Sequence, residues 1–332
     1  MKSHALIGAG LGVVAAIAFA SATTGPLFAR FLLLFLTPLP IALAGLGWGW
    51  RTAIVAGTAG MAFVALATSP FLALAFAVTQ AAPMVVLTYL ALLSRPLAES
   101  GRATAPEDPD AVEWYPPGRL VIWAGLLASL MAVTTLLLLG TDLDQLRESL
   151  ATLIKQAIPA GLPPSEQPVQ LSDADIAALA DIALALLPGA SAVSWMSSLL
   201  FNLWLAGRVT LASGQLGRPW PDLAALTYPP GTPLAFGLAL AGLMLPGQGG
   251  LVASALAGGL FLAYLLLGLA TVHYTTRGQP WRPFALWALY GALIVVNVWL
   301  WIVVALVGLA ETVVHFRARA QAPPAPPRHP NT

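Results

Sequence analysis

Long apolar runs, broken by glycine and proline, recur nine times along the chain. They occupy 5–23, 27–47, 52–68, 71–93, 119–140, 189–212, 233–246, 251–274 and 284–314. A bilayer core takes ~20 apolar residues per helical crossing. In lipid a spanning backbone must satisfy its own hydrogen bonds, which an α-helix does within one segment. The expected fold is therefore an all-α integral membrane protein. Its core is a polytopic bundle of eight transmembrane helices, with nine as the alternative, plus an amphipathic extramembrane helical insert.

Composition agrees with this. Charged residues are 9% of the chain and hydrophobic residues 58%, where soluble domains carry roughly 25% charge. The net charge of +1 offers no basic field for DNA or RNA. The two lysines, Lys2 and Lys155, lie outside any glycine-rich phosphate loop, so no Walker-type ATPase is expected. There is no cysteine, and the four histidines have no metal-binding spacing. No G-x-S-x-G elbow is present. The reading is a chain with no catalytic residues, cofactor or metal.

The breakers divide the chain. Residues 1–94 read as four membrane helices, 95–118 as a polar, flexible cytoplasmic loop holding Arg95, Glu99, Arg102, Glu107, Asp108, Asp110 and Glu113, and 119–140 as the fifth helix. In the insert 141–187, Leu143, Leu146, Leu150, Leu153, Ile154 and Ala157 recur at helical spacing, giving an amphipathic helix on the non-cytoplasmic side that lies on the membrane surface or caps the bundle. A proline-rich turn follows, from Pro159 to Pro168, and Ser172 then fits an N-cap ahead of Asp173-Ala174-Asp175. Residues 188–316 hold the remaining membrane helices, and 317–332 read as a disordered tail. Lys2, the apolar run after it and Ala20-Ser21-Ala22 imitate a cleaved signal, but the many later segments favour an uncleaved first span.

Arginine and lysine in the short loops set the orientation. With the N-terminus in the cytoplasm, Lys2, Arg51, Arg95, Arg102, Arg119, Arg208 and Arg218 lie inside. The run Leu234–Leu245 covers only about 18 Å as a helix. It is read as a half-helix, a re-entrant piece or a crossing extended by its flanks. Leaving it out as a crossing gives eight spans with both termini cytoplasmic. Alanine- and arginine-biased usage points to a GC-rich bacterium, and so to its inner membrane.

Polar residues inside spans each need a reason. Ser191, Ser194, Ser198 and Asn202 share one helical face, Gln80, Met84 and Thr88 a second, and Tyr290, Asn297 and Glu311 a third. Either they form interhelical hydrogen bonds or they line one cavity. In the second case the ligand-binding candidates are Gln80, Thr88, Ser194, Ser198, Asn202 and Asn297. Glu311 and His315 are spaced to pair on a helix face. No chain of buried ionisable groups is present, which disfavours a proton-driven antiporter.

Three stretches carry a resemblance: Asn202-Leu203-Trp204-Leu205-Ala206-Gly207-Arg208-Val209 leading to Arg218-Pro219-Trp220-Pro221-Asp222-Leu223, then Gly268-Leu269-Ala270-Thr271-Val272-His273, then Leu306-Val307-Gly308-Leu309-Ala310-Glu311 followed by Phe316-Arg317-Ala318-Arg319. Together they resemble the YybS-like family of bacterial multi-pass membrane proteins, most closely in the second half of the chain. The residues that carry the motif are Asn202, Arg208, Asp222, His273, Glu311 and Arg317. His315 stands where the family often has an acid. In helix pattern the family is distantly similar to substrate-binding subunits of energy-coupling-factor vitamin transporters, which bind a vitamin in a helical cavity and borrow separate ATPases. The resemblance thus implies a small-solute binding or transport subunit in the lipid bilayer, energised by separate protein subunits. The alternative is a membrane scaffold or envelope-associated interaction protein without transport activity. A membrane-embedded enzyme has the least support.

Overall fold

The computed structural model describes residues 2–22, 26–96, 112–139, 142–160 and 171–317. In chain order its helices are α1 (Lys2–Ser21), α2 (Leu27–Leu36), α3 (Leu39–Trp48), α4 (Trp50–Ala67), α5 (Pro70–Phe76), a π-helical turn (Ala77–Ala81), α6 (Ala82–Ala91), α7 (Pro117–Leu139), α8 (Leu143–Ala160), α9 (Asp173–Ala212), α10 (Thr232–Gly242), α11 (Gln248–Thr275), α12 (Arg282–Val295) and α13 (Val298–Val314). Seven stretches are long and apolar enough to cross a membrane, and α10, α12 and α13 are shorter apolar helices. The protein is an all-α polytopic membrane protein.

Most boundaries follow from local chemistry. Pro38 and Pro40 lack the N–H groups that would serve the carbonyls of Leu34 and Leu36, so the second span breaks into α2 and α3. Pro83 does the same to the fourth span, where the ladder widens into the π-helical turn. Ser172 caps α9: its side chain accepts from the Asp175 N–H, and the Asp175 carboxylate accepts from the Ser172 N–H. From that cap α9 runs unbroken through Pro188 for 40 residues, about 60 Å. That is twice a bilayer core, so α9 is long enough to project beyond one, and its first part carries α8. Arg147 bridges Asp144 and Asp181, and Lys155 pairs with Asp173 at 2.8 Å, tying α8 to α9.

Parts of the expected loops and tail lie outside the described residues, namely 97–111 with Glu99, Arg102, Glu107, Asp108 and Asp110, then 161–170, and the tail beyond Arg317. The described ends of the first loop pair as two short antiparallel strands, Ser94–Pro96 and Val112–Trp114. Arg95 and Glu113 form an ion pair across them at 2.6 Å.

Helix directions follow from which residues meet. Gly8 and Gly12 of α1 sit against Thr52 and Ala56, so α1 and α4 run parallel. Ser129 reaches the Ala255 carbonyl and Gly125 faces Gly259, so α7 and α11 are antiparallel. Ser254 donates to the Ala185 carbonyl and Gly258 meets Gly189, so α9 and α11 are parallel. Gly242 faces Ala253 while Phe236 packs on Tyr264, so α10 runs antiparallel to α11. One face of the bundle, here the strap face after residues 215–231 that cross it, then holds the starts of α1, α4 and α7 and the ends of α3, α6, α9 and α11. The opposite face holds α8 and the turn before α11, where Gly247 meets Leu143.

The last apolar run departs from the expectation. Residues 284–314 are not one crossing. Asn297 takes φ 56°, ending α12 and starting α13, and Asn is among the few side chains that tolerate that region. The Trp301 indole donates to the Leu293 carbonyl across the break at 3.1 Å. Gly308 packs on Tyr264 and Gly268, and the Arg317 guanidinium lies 5.8 Å from the Tyr274 ring, so α13 runs parallel to α11. α12 therefore descends from the strap face and α13 returns to it. The run 284–314 is thus a hairpin of two helices, and α10, antiparallel to α11, is like them an apolar helix shorter than the seven long enough to cross. The first helix begins and the last described helix ends at the same face of the bundle.

Two outcomes follow. In this cysteine-free chain, Gln279→Cys and Phe316→Cys should be labelled by an impermeant maleimide from the same side, and Gln145→Cys from the other. Opposite labelling of the first two would restore a full crossing. A Cβ on Gly268 would lie 1.9 Å from the Val304 carbonyl oxygen, so Gly268→Ala should cost about 1–3 kcal/mol through overpacking. Gly291→Ala, with open space around it, should be near neutral in the same detergent unfolding assay.

Candidate functional site

After α9 the chain turns at Gly214, φ 68°, and residues 215–231 form a strap across one face of the bundle. Several of its side chains and one carbonyl are tied to distant elements. Arg218 Nη1 donates to the Ala91 carbonyl at the end of α6, 2.8 Å, and its guanidinium lies over Trp114. Trp220 packs on Gly207 and receives the Arg208 guanidinium at 5.2 Å from its ring centroid. Asp222 accepts from the Ala224 N–H at 3.1 Å and pairs with Arg277 at the end of α11. The Ala224 carbonyl accepts from Arg317 beyond α13, 3.1 Å. The Tyr228 hydroxyl donates to the Ala263 carbonyl within α11, 2.5 Å. One short segment thus laces α6, α9, α11 and α13 together.

The hydrogen bond from Arg277 holds the Asp222 carboxyl below the usual carboxylate range, helped by the Ala224 N–H and opposed by desolvation. A lowered folded-state value means the pair stabilises above the unfolded carboxylate range. That contribution is lost as pH falls through the lowered value. Both side chains are about half exposed, so the effect is small. At Arg218 burial acts the other way and lowers the guanidinium below its usual value.

Two cavities flank the strap. The first is an apolar groove of about 930 Å³ between α7, α9, α11 and the strap. Its walls include Leu200, Trp204, Trp220 and Leu266, and its polar groups include Arg218, His273 and Tyr290. His273 Nε2 and the Tyr290 hydroxyl are hydrogen-bonded at 2.8 Å, which joins α11 to α12. Arg218 Nε is buried and has no hydrogen-bond partner. The second cavity, about 450 Å³, lies beyond the strap between Tyr228, Pro230, Tyr274, Glu311 and Arg317.

The residues of the neutral stripes do not meet in one place. Gln80 is fully buried in the π-helical turn, with Nε2 on Thr79 Oγ1 and Oε1 unpartnered. Thr88 is buried against Gly45 and bonds within its own helix. Ser194 is exposed on the outer surface of α9. Asn297 is exposed at the break between α12 and α13. Ser198 and Asn202 do converge, on a backbone atom: Ser198 Oγ and Asn202 Nδ2 each donate to the Phe35 carbonyl at 2.7 Å. None of these six borders either cavity. Glu311 does not pair with His315. His315 caps α13 in the left-handed region, φ 55°, and Glu311 pairs instead with Arg317 at 2.9 Å.

The family-motif residues gather more closely. Arg208, Asp222, His273, Glu311 and Arg317 all lie on or beside the strap, and Asn202 lies deeper. Arg218, Trp220, Tyr228 and Tyr274 complete this region and were not singled out as candidates from the sequence. The clue was Trp and Arg set between prolines at 218–221, a pattern that also reads as an ordinary interfacial loop.

A family model described as "Predicted membrane protein (DUF2232)" matches residues 13–312. No curated protein and no solved structure matches the chain.

The shared Phe35 carbonyl gives a non-additive expectation. Ser198→Ala or Asn202→Leu alone leaves one donor, at a cost near the ~0.6 kcal/mol typical of an interhelical hydrogen bond. Together they orphan a buried carbonyl, about 1–3 kcal/mol. Unfolding of the purified protein in mixed micelles should therefore show the double variant losing more than the sum of the singles. Strict additivity would contradict the shared cap.

Proposed function

We propose, from the premise that the chain belongs to the DUF2232 family of predicted membrane proteins, that it is a small-solute binding subunit without its own ATPase. Its site is the strap-face groove. The observation that carries this is Arg218: its side chain borders a cavity whose other walls are mainly apolar, and its buried Nε has no partner. An unsatisfied cationic donor in such a place calls for an acceptor. The ligand class that fits is an amphipathic molecule, with a ring or chain against Trp204, Leu200 and Leu266 and an acidic or carbonyl head at Arg218. The YybS-like resemblance and the likeness in helix pattern to vitamin-binding subunits of energy-coupling-factor transporters support the same reading. Any transport would then be energised by separate subunits.

Charge supports an orientation. Arg51, Arg95, Arg119, Arg208, Arg218, Arg277, Arg282 and Arg317 lie toward the strap face, and Arg30, Arg147 and Lys155 toward the other. Under the positive-inside rule the strap face, with the N-terminus, is cytoplasmic in a bacterial inner membrane.

A second reading, a membrane scaffold, is favoured by α12. No residue of it is buried, and the helix break at Asn297 is exposed at mid-depth beside α11. Irregular backbone at that depth needs protein or water around it, which a partner subunit would supply.

A thermal-shift screen of the purified protein against vitamins, nucleobases and amphipathic acids separates the two. A ligand of the groove should raise the melting temperature of the wild type. Leu200→Trp, which fills the groove, should abolish the rise, and Arg218→Gln should weaken binding about tenfold, ~1.4 kcal/mol. A flat screen would transfer the case to the scaffold.

A further inference from the structure

The second cavity holds a polar group that the rest of the fold does not use. Glu311 is 5% exposed. Its Oε1 accepts from Arg317 Nε at 2.9 Å, and its Oε2 has no hydrogen-bond partner. Arg317, itself 11% exposed, spends a second donor on the Ala224 carbonyl; a guanidinium carries five. Around this pair lie Tyr228, Tyr274, Leu267 and the prolines at 229, 230 and 233. A volume of about 450 Å³ far exceeds the ~30 Å³ a single water takes, so the space fits a ligand with a body.

Charge decides which ligand. The carboxylate and guanidinium already neutralise one another. A bare cation would meet Arg317 uncompensated, and a bare anion would meet Glu311; each is costly beside a pair as buried as this one. A ligand bearing both signs adds no net charge, and N–H donors answer the orphaned oxygen. We propose that this cavity binds a zwitterion with a primary ammonium group, the ammonium donating to Glu311 Oε2 and the anionic group resting against the Arg317 guanidinium. The cavity spans from Leu267 to Tyr274 along α11, about 10 Å of helix ending at the strap face. That is headgroup depth, so the aminoethyl-phosphate head of a membrane lipid has this chemistry in place, and a free amino zwitterion shares it. The site is separate from the apolar groove and does not depend on that groove binding anything.

The test uses the full chain in detergent micelles, with melting temperature and native mass spectrometry as readouts. The probes are phosphatidylethanolamine, phosphatidylcholine, free phosphoethanolamine and glycine. Both lipids are zwitterionic, but only the first has ammonium N–H donors. Phosphatidylethanolamine should raise the melting temperature by several degrees and stay bound on ionisation, while phosphatidylcholine should do neither. Glu311→Gln and Thr312→Trp should each erase that difference. Thr312→Trp fills the cavity without touching the ion pair, so it decides the matter if Glu311→Gln fails to fold. A rise with phosphoethanolamine or glycine but not with the lipid assigns the site to a free solute. Equal shifts from the two lipids, a shift that survives Thr312→Trp, or no shift from any probe overturns the proposal.

Discussion

A carbonyl stripped of its helical partner inside lipid has nowhere to turn but to another side chain. The break forced by Pro38 and Pro40 creates that situation at Phe35, and Ser198 and Asn202 resolve it. The joint lies between the N-terminal helices and α9, and it is one of the few polar links between the two halves of the bundle. Everything on the strap face depends on α9 being held there. Its last turn positions Gly207 and Arg208 for Trp220, and the strap leaves directly from its C-terminus.

The same pattern recurs where helices approach most closely. Glycines at 12, 189, 258, 268 and 308 let backbone meet backbone between α1 and α4, α9 and α11, and α11 and α13. With lipid as solvent, hydrophobic burial gives little preference for one helix contact over another, so small residues and a few hydrogen bonds set the arrangement. That is why the bundle can be so poor in charge. The ionised pairs within reach of the core are confined to its ends, as at Glu311 with Arg317.

Much of this could be read from residues alone. The apolar runs identify the spans because lipid demands length and regularity, and Ser172 identifies the start of α9 because a capping box is local chemistry. The α12–α13 hairpin could not be read in the same way. Residues 284–314 have the length and hydropathy of a long crossing, and Asn297 is the one polar residue between Tyr290 and Glu311 apart from the tryptophans. Only its positive φ and the docking of α13 on Gly268 reveal the turn. The polar stripes show a similar limit. Spacing places Ser198 and Asn202 on one face, but spacing does not say whether that face meets a void or a carbonyl. The strap was hardest to see, because its importance lies in five contacts to five distant parts of the chain.

The α12–α13 hairpin also decides how the loops are divided between the two ends of the bundle. Because α13 comes back to the strap face, the two paired strands, the strap, the α11–α12 turn and the end of the described chain all lie on one side. On the other side the described residues offer short turns and a single projecting feature, the α8–α9 cap with its ion pairs at Asp173 and Asp181. A soluble protein approaching from that side would meet one acidic helical knob and little else, whereas from the strap side it would meet both cavities at once.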